Sequence, residues 1–155
     1  MKTGWSATVC ASPNGIAPED LTHFRNTTMN HTIIMGDITY EGLPDRVFES
    51  RKSFVLTNKD LPRKANTTFV PSTQELLKEL SKTEKACIFA IGGADTITRL
   101  MQENLIDSFI LSRIPGTYQG DVFLPPHILK EITSWPTDKV DNRQNFSIHY
   151  HHKPA

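Results

Sequence analysis

Asp20 and Phe24 stand four residues apart in the stretch Pro18-Glu19-Asp20-Leu21-Thr22-His23-Phe24. The proline and the two carboxylates read as a helix start, with the acids near the positive end of the dipole. Four residues make about one turn, so Asp20 and Phe24 share a face, and Leu21 and Thr28 extend it inward. A carboxyl on the apolar side of a helix is costly without a partner or a task. Glu19 reads as a solvated first-turn acid, and the same reading is open to Asp20. The sharper reading is a carboxyl in a pocket floored by an aromatic ring. There desolvation raises its pKa and suits it to proton donation near neutral pH.

Two strand–glycine–helix junctions carry a second kind of chemistry. One is Ile33-Ile34-Met35-Gly36-Asp37-Ile38-Thr39, the other Phe89-Ala90-Ile91-Gly92-Gly93-Ala94-Asp95-Thr96. In each, an apolar strand ends at glycine where a helix begins. Glycine lets a ligand approach the backbone, and the free amides of the helix start face it. Thr39 and Thr96 add hydroxyl donors. Two such sites at strand carboxyl ends suit the two phosphates of a dinucleotide. Glycine also serves such turns for steric reasons alone, and neither junction is a GxGxxG fingerprint or a Walker loop.

The elements that must position these groups alternate along the chain. Strands are expected at Trp5 to Ala11, His31 to Met35, Ser53 to Leu56, Thr68 to Val70, Cys87 to Ile91, Ser108 to Ile114 and Phe146 to His152. Helices are expected from Pro18 to about Thr28, over Ile38 to Leu43, after the capping box Ser72-Thr73-Gln74-Glu75, and from Asp95 as cap to about Glu103. Pro115 to Val140 reads as a long ordered loop. The alternation implies an α/β fold: one domain over residues 1–155, a mostly parallel central sheet with helices on both faces, and an antiparallel C-terminal hairpin.

Composition narrows the partners. Lys+Arg and Asp+Glu are equal at 17 each, which leaves no basic field to gather nucleic acid or an anionic membrane. No apolar run is long enough to span a bilayer. The N-terminus lacks an apolar export segment, so the cytoplasm is the expected location. Cys10 and Cys87 sit in apolar runs and read as small buried hydrophobes. His149, His151 and His152 have no Cys, Asp or Glu at ligand spacing, so no metal site is expected, and they read as an exposed strand end.

In their order these pieces resemble the dihydrofolate reductase family across nearly the whole chain. The matching segments are Pro18-Glu19-Asp20-Leu21 with Phe24, Ile33-Ile34-Met35-Gly36 with Thr39-Tyr40-Glu41, Arg51-Lys52, Ile91-Gly92-Gly93, and Gly120-Asp121 with Leu124-Pro125. The resemblance implies reduction of 7,8-dihydrofolate to tetrahydrofolate by hydride from a nicotinamide cofactor. It implies Asp20 as the catalytic acid and Phe24 as the aromatic wall of the pterin site. Arg51 is implied as the partner of the glutamate α-carboxylate, a contact that suits a planar guanidinium. Ser112 stands where the family has a threonine bonded to the acid. Val9, Cys10, Leu43 and Ile91 are implied near substrate. The cofactor is implied at Cys10, Ile16, Gly36, Asp37, Ile38, Thr39, Leu56, Thr57, Asn58, Ile91, Gly92, Gly93, Ala94, Asp95 and Thr96. A monomer is the expected state. The "IMG" and "IGG" pieces also occur in riboflavin-pathway reductases, so that activity on another pteridine stays open, as does a folate- or nucleotide-binding protein with little catalysis.

The chain departs from the family in three places. Ser12 to Pro18 is seven residues, a reach of at most about 25 Å, where the family carries a longer mobile loop. Asp37 and Asp95 stand where basic residues usually hold the 2′-phosphate of NADPH, so NADH is possible beside NADPH. Lys59, Arg63 or Lys64 could compensate. Ile97 replaces a tyrosine common near the nicotinamide.

Overall fold

A strand apolar on both faces belongs inside a sheet, and Thr32–Gly36 (β2) is buried at every residue. The computed structural model describes residues 7–11, 26–82, 88–113, 126–142 and 147–154. The other strands are Ala7–Ala11 (β1), Lys52–Leu56 (β3), Thr67–Val70 (β4), Ile88–Gly92 (β5), Ile106–Arg113 (β6), Thr137–Asn142 (β7) and Ser147–His152 (β8). They form one sheet in the order β4-β3-β2-β5-β1-β6-β8-β7. The pairs from β4 to β6 are parallel. β8 runs antiparallel to β6 and to β7. The expected mostly parallel sheet with an antiparallel C-terminal hairpin is what forms, and β5 lies inside it.

Helices alternate with these strands: Asp37–Gly42 (α1), Arg46–Glu49 (α2), Thr73–Leu80 (α3), Ala94–Gln102 (α4) and Pro126–Ser134 (α5). Because strand side chains alternate between faces, β2 and β3 feed two cores. Ile34, Phe54 and Leu56 join α3, α4 and α5 through Leu76, Leu80, Ile97, Leu100, Ile128 and Ile132. Ile33, Met35 and Val55 join Tyr40 of α1 and Phe48 of α2 on the other face. Ile97 is therefore a core residue of the first layer.

Ser72 caps α3 by accepting from the Glu75 amide at 3.2 Å, as the capping box requires. At α4 the cap is Gly93 rather than Asp95, with no side-chain cap bond; Asp95 falls within the first turn. Residues 26–28 are helical, where the helix from Pro18 was expected to end. Most of that helix, with Ile16, Asp20 and Phe24, lies outside the described residues, as do Cys87 and Gly120-Asp121.

The expected loop from Pro115 to Val140 is corrected in its second half, which holds α5 and β7. Ile128 and Ile132 are four apart and both buried, and Trp135 follows three residues later, packed edge-on against Phe109 at 5.3 Å. The tail also differs from an exposed strand end. His151 is buried, with its Nδ1 3.3 Å from the Trp135 carbonyl oxygen and from Thr137 Oγ1. Among the described residues no helix is long and apolar enough to cross a membrane.

Trp135 thus ties α5, β6 and β8 together. Trp135→Ala should cost about 3–5 kcal/mol in urea unfolding followed by circular dichroism, and Trp135→Phe less than about 1.5 kcal/mol. Equal midpoints for the alanine variant and the parent would show that this corner does not depend on the ring.

Candidate active site

In a parallel sheet, a crevice opens where neighbouring strands send their connections in opposite directions. β2 leads to β3 on one side, and β5 leads across β1 to β6 on the other. The two glycine junctions leave the carboxyl ends of these neighbours. Ile34 pairs with Ala90, but Met35 pairs with Gly92, so Ile91 is an extra residue in the ladder. Such a bulge re-aims the strand end.

The junctions touch one another. A Cβ on Gly36 would lie 2.6 Å from Thr96 Oγ1, and one on Gly93 would lie 3.7 Å from Thr39 Oγ1. Each threonine hydroxyl therefore rests against the glycine of the other junction. The two glycines answer different demands. At Gly36 no side chain fits, because Thr96 is buried against it. At Gly93 the protein leaves room for a methyl group, and φ is −82°, so neither packing nor backbone conformation requires glycine. An open cradle at the unadorned start of α4 fits an approaching phosphate.

The end of β3 completes the corner. Leu56 pairs with Gly36 in the ladder, which brings Thr57 and Asn58 beside Asp37. Thr57 Oγ1 lies 3.5 Å from Asp37 Oδ2, and Lys59 Nζ lies 3.4 Å from the same oxygen. Gly36 to Thr39, Leu56 to Asn58 and Ile91 to Thr96 are thus gathered at three adjacent strand ends. Within that group Leu56 turns its side chain into the core, which limits it to a backbone role. Ile38, Asn58 and Asp95 are exposed there. Leu43 and Ile91 are half-buried and pack on the same layer as Tyr40 and Phe48.

β1 runs beside β5 with Val9 opposite Ala90, which puts the backbone of Val9 and Cys10 next to the crevice strand. Ser112 lies on β6 opposite Ile148 of β8.

Arg51 sits at the other end of β3, one strand length away, about 16 Å at 3.3 Å per residue. It is only 4% exposed. Its Nε donates to Thr28 Oγ1 at 2.9 Å, and Nη1 donates to the Val47 carbonyl and Ser50 Oγ, both at 3.0 Å. Thr28 reaches it because the turn after it is pinned: the His31 amide donates to the Thr28 carbonyl and the Asn30 amide to the Ser50 carbonyl, both at 3.1 Å. Asn30 takes a positive φ of 65° in that turn, which asparagine tolerates. The guanidinium lines a cavity of about 780 Å³ with His31, Lys52, Arg63 and Asn66. It is buried, and among the described residues Thr28, Val47 and Ser50 hold it in one orientation.

Of the three cations expected to compensate for Asp37, Lys59 alone is placed against it. Lys64 is committed elsewhere. Its ammonium donates to the Tyr40 and Leu43 carbonyls at 3.1 and 2.9 Å and lies 4.9 Å from the Tyr40 and Phe48 ring centres. Arg63 lines the cavity with Arg51. Thr28 reads as inward-facing from sequence, but its bond to Arg51 and the Lys64–Tyr40 contact were not signalled, because each joins residues more than twenty positions apart.

The interlock predicts opposite responses at the two glycines. Gly36→Ala should cost about 1–3 kcal/mol, and adding Thr96→Ala should recover part of that loss. Gly93→Ala should cost under about 1 kcal/mol, the loss of a preferred cap residue. Thermal unfolding of the four proteins reads this, and equal losses at both glycines would contradict the geometry.

Comparison with known proteins agrees with this arrangement. The family model described as dihydrofolate reductase matches residues 16–153. Dihydrofolate reductase of Mycoplasma pneumoniae is 32% identical over 88% of this chain and 83% of its own length. That of Mycoplasma genitalium is 28% identical over 87% and 82%, and that of Bacillus subtilis 32% over 70% and 61%. A match over most of the chain, on a sheet whose strand ends gather the expected cofactor residues, places this protein in the dihydrofolate reductase family.

Proposed function

We propose that this chain reduces 7,8-dihydrofolate to tetrahydrofolate with hydride from a nicotinamide cofactor. The observation that carries the reading is the separation of two sites on one sheet. The interlocked junctions lie at the carboxyl ends of β2 and β5, and the anchored Arg51 lies at the amino end of β3. A ligand that meets the nicotinamide at one end and a guanidinium about 16 Å away is long and carries an anionic group, such as a carboxylate, at its far end. Dihydrofolate, a pterin with a glutamyl tail, has that form.

The cofactor supplies the hydride when bound. The protein's part is to position and protonate. Asp20 holds the pterin amino group and ring nitrogen and supports protonation, with Phe24 as the wall and Ser112 as partner of the acid. Leu43 and Ile91 offer apolar contact to the rings. Arg51 fixes the tail and so sets how far the pterin reaches toward the cofactor. NADPH is the family's usual donor, and Asp37 leaves NADH open.

The test is cofactor oxidation by the purified protein with dihydrofolate and either NADPH or NADH. Turnover is expected, and none with either donor would refute the reading. Asp20→Asn should lose most activity at neutral pH and regain some in acid, where solvent protonates the substrate in place of the missing acid. A variant with the parent's pH profile would leave Asp20 as a helix-start acid. Arg51→Ala should raise KM for dihydrofolate about ten- to a hundredfold, the worth of a charge-assisted pair, with Arg51→Lys in between. A dihydropterin without the glutamate should be far less affected. Equal effects on both substrates would point to lost packing instead.

A further inference from the structure

α1 has six residues, none of them basic in its last turn, and its cap, Leu43, is extended at φ −90° and ψ 144°. A helix that short is marginal alone, and its last carbonyls need partners. Lys64 supplies them from the loop between β3 and β4. Its ammonium donates to the Tyr40 carbonyl at 3.1 Å and to the Leu43 carbonyl at 2.9 Å, at the negative end of the helix dipole. It lies 4.9 Å from the ring centres of both Tyr40 and Phe48, and those rings meet edge-on at 5.2 Å. Phe48 belongs to α2, so one cation touches the end of one helix and the body of the next. The lysine side chain is 20% exposed, while that of Asp45, 3.6 Å away, is 87% exposed. The carbonyls and rings therefore hold the ammonium more than the solvated carboxylate does.

We infer that Lys64 is a positioning residue for the proposed reaction: by fixing the bend between α1 and α2 it sets Leu43 and the span from the glycine junctions to Arg51. The inference rests on the reductase reading given above and adds what aligns its two ends. α1 starts at the Gly36 junction, while α2 and the turn after it supply the Val47 carbonyl and Ser50 that hold Arg51. The bend Leu43-Pro44-Asp45 joins the two helices, and Lys64 fastens it. Leu43, expected beside the substrate, has its carbonyl in that grip and its side chain on the Tyr40 and Phe48 layer. Lys64 is itself fixed, because its amide donates to the Tyr40 hydroxyl at 2.9 Å. Loss of the ammonium leaves two carbonyls unmatched and lets the bend shift. A substrate held at both ends of the span feels that shift more than a dinucleotide held at the start of α1.

The experiment compares the parent with Lys64→Met, which keeps the apolar stem and removes the donors, with Lys64→Arg, and with Asp45→Asn. Two quantities are read: kcat/KM for dihydrofolate at saturating NADPH or NADH, whichever the parent uses, and the Kd of that dinucleotide by calorimetry without substrate. Lys64→Met should lower kcat/KM about three- to tenfold, a modest part of what a displaced reactant can cost, with Kd within about twofold of the parent. Lys64→Arg, which keeps the charge and donors, should recover part of the loss, and Asp45→Asn should match the parent. Lys64→Gln, which keeps an amide donor, gives a milder loss in the same direction and stands in if the methionine variant does not fold. An unchanged kcat/KM beside a lower unfolding temperature would overturn the inference and leave Lys64 a stability residue. So would an equal weakening of dinucleotide binding, or an arginine variant no better than the methionine one. No turnover by the parent would instead overturn the functional reading, and this inference with it.

Discussion

Two backbones approach closely at one point, and much of the site follows from that approach. Gly36 lies so near Thr96 that a single methyl group would collide with its hydroxyl. β2 and β5 can therefore end side by side, and the helices that follow them can start within reach of each other. The extra residue at Ile91 shifts the register just before this point. Without the bulge, Gly92 would not pair with Met35, and the second junction would not be brought level with the first. The steric demand at Gly36 and the vacant space at Gly93 are two sides of one arrangement. One glycine allows the strands to close, and the other leaves the start of α4 open.

The far end of the sheet depends on a buried cation. A buried guanidinium is costly unless its donors are matched, and Arg51 is matched by Thr28, Val47 and Ser50. These partners come from the turn at residues 28–31 and from α2 with the turn after it. That turn follows the segment expected to carry Asp20, so the residue that anchors the arginine stands eight positions after the acid. Lys64 performs a similar service for the loop between β3 and β4. Tyr40 donates its hydroxyl to the Pro62 carbonyl and accepts from the Lys64 amide, and the ammonium returns to the Tyr40 carbonyl. The loop that presents Lys59 is thus tied down at its other end by α1, whose first residue is Asp37.

Much of this was legible in the sequence because it rests on local pattern. Apolar runs ending at glycine gave β2 and β5, and the capping box gave α3. The strand at Thr137–Asn142 was illegible because it is an exposed edge strand with polar residues on both faces, as edge strands often are. The helix at Pro126–Ser134 had a readable signal, the Ile128–Ile132–Trp135 spacing after a proline, which the surrounding prolines and glycines obscured. Asp95 as a cap was a plausible error. Gly93 takes the position because the helix starts two residues earlier than a cap at Asp95 would need. In the site, local pattern located the glycines, and the family resemblance pointed to Arg51 and Asp37. Neither could show that Thr96 rests against Gly36, or which of three cations faces Asp37, since those contacts join residues that are distant in the chain.

The central claim is that the two junctions form one dinucleotide cradle. The most direct measurement is a titration of isotope-labelled protein with NADPH, following backbone amide resonances by NMR. The account predicts the largest shifts at Gly93 to Thr96 and at Gly36 to Thr39, moving together along one binding curve. Saturable binding that leaves both sets of amides unmoved, or that moves only one of them, would contradict it.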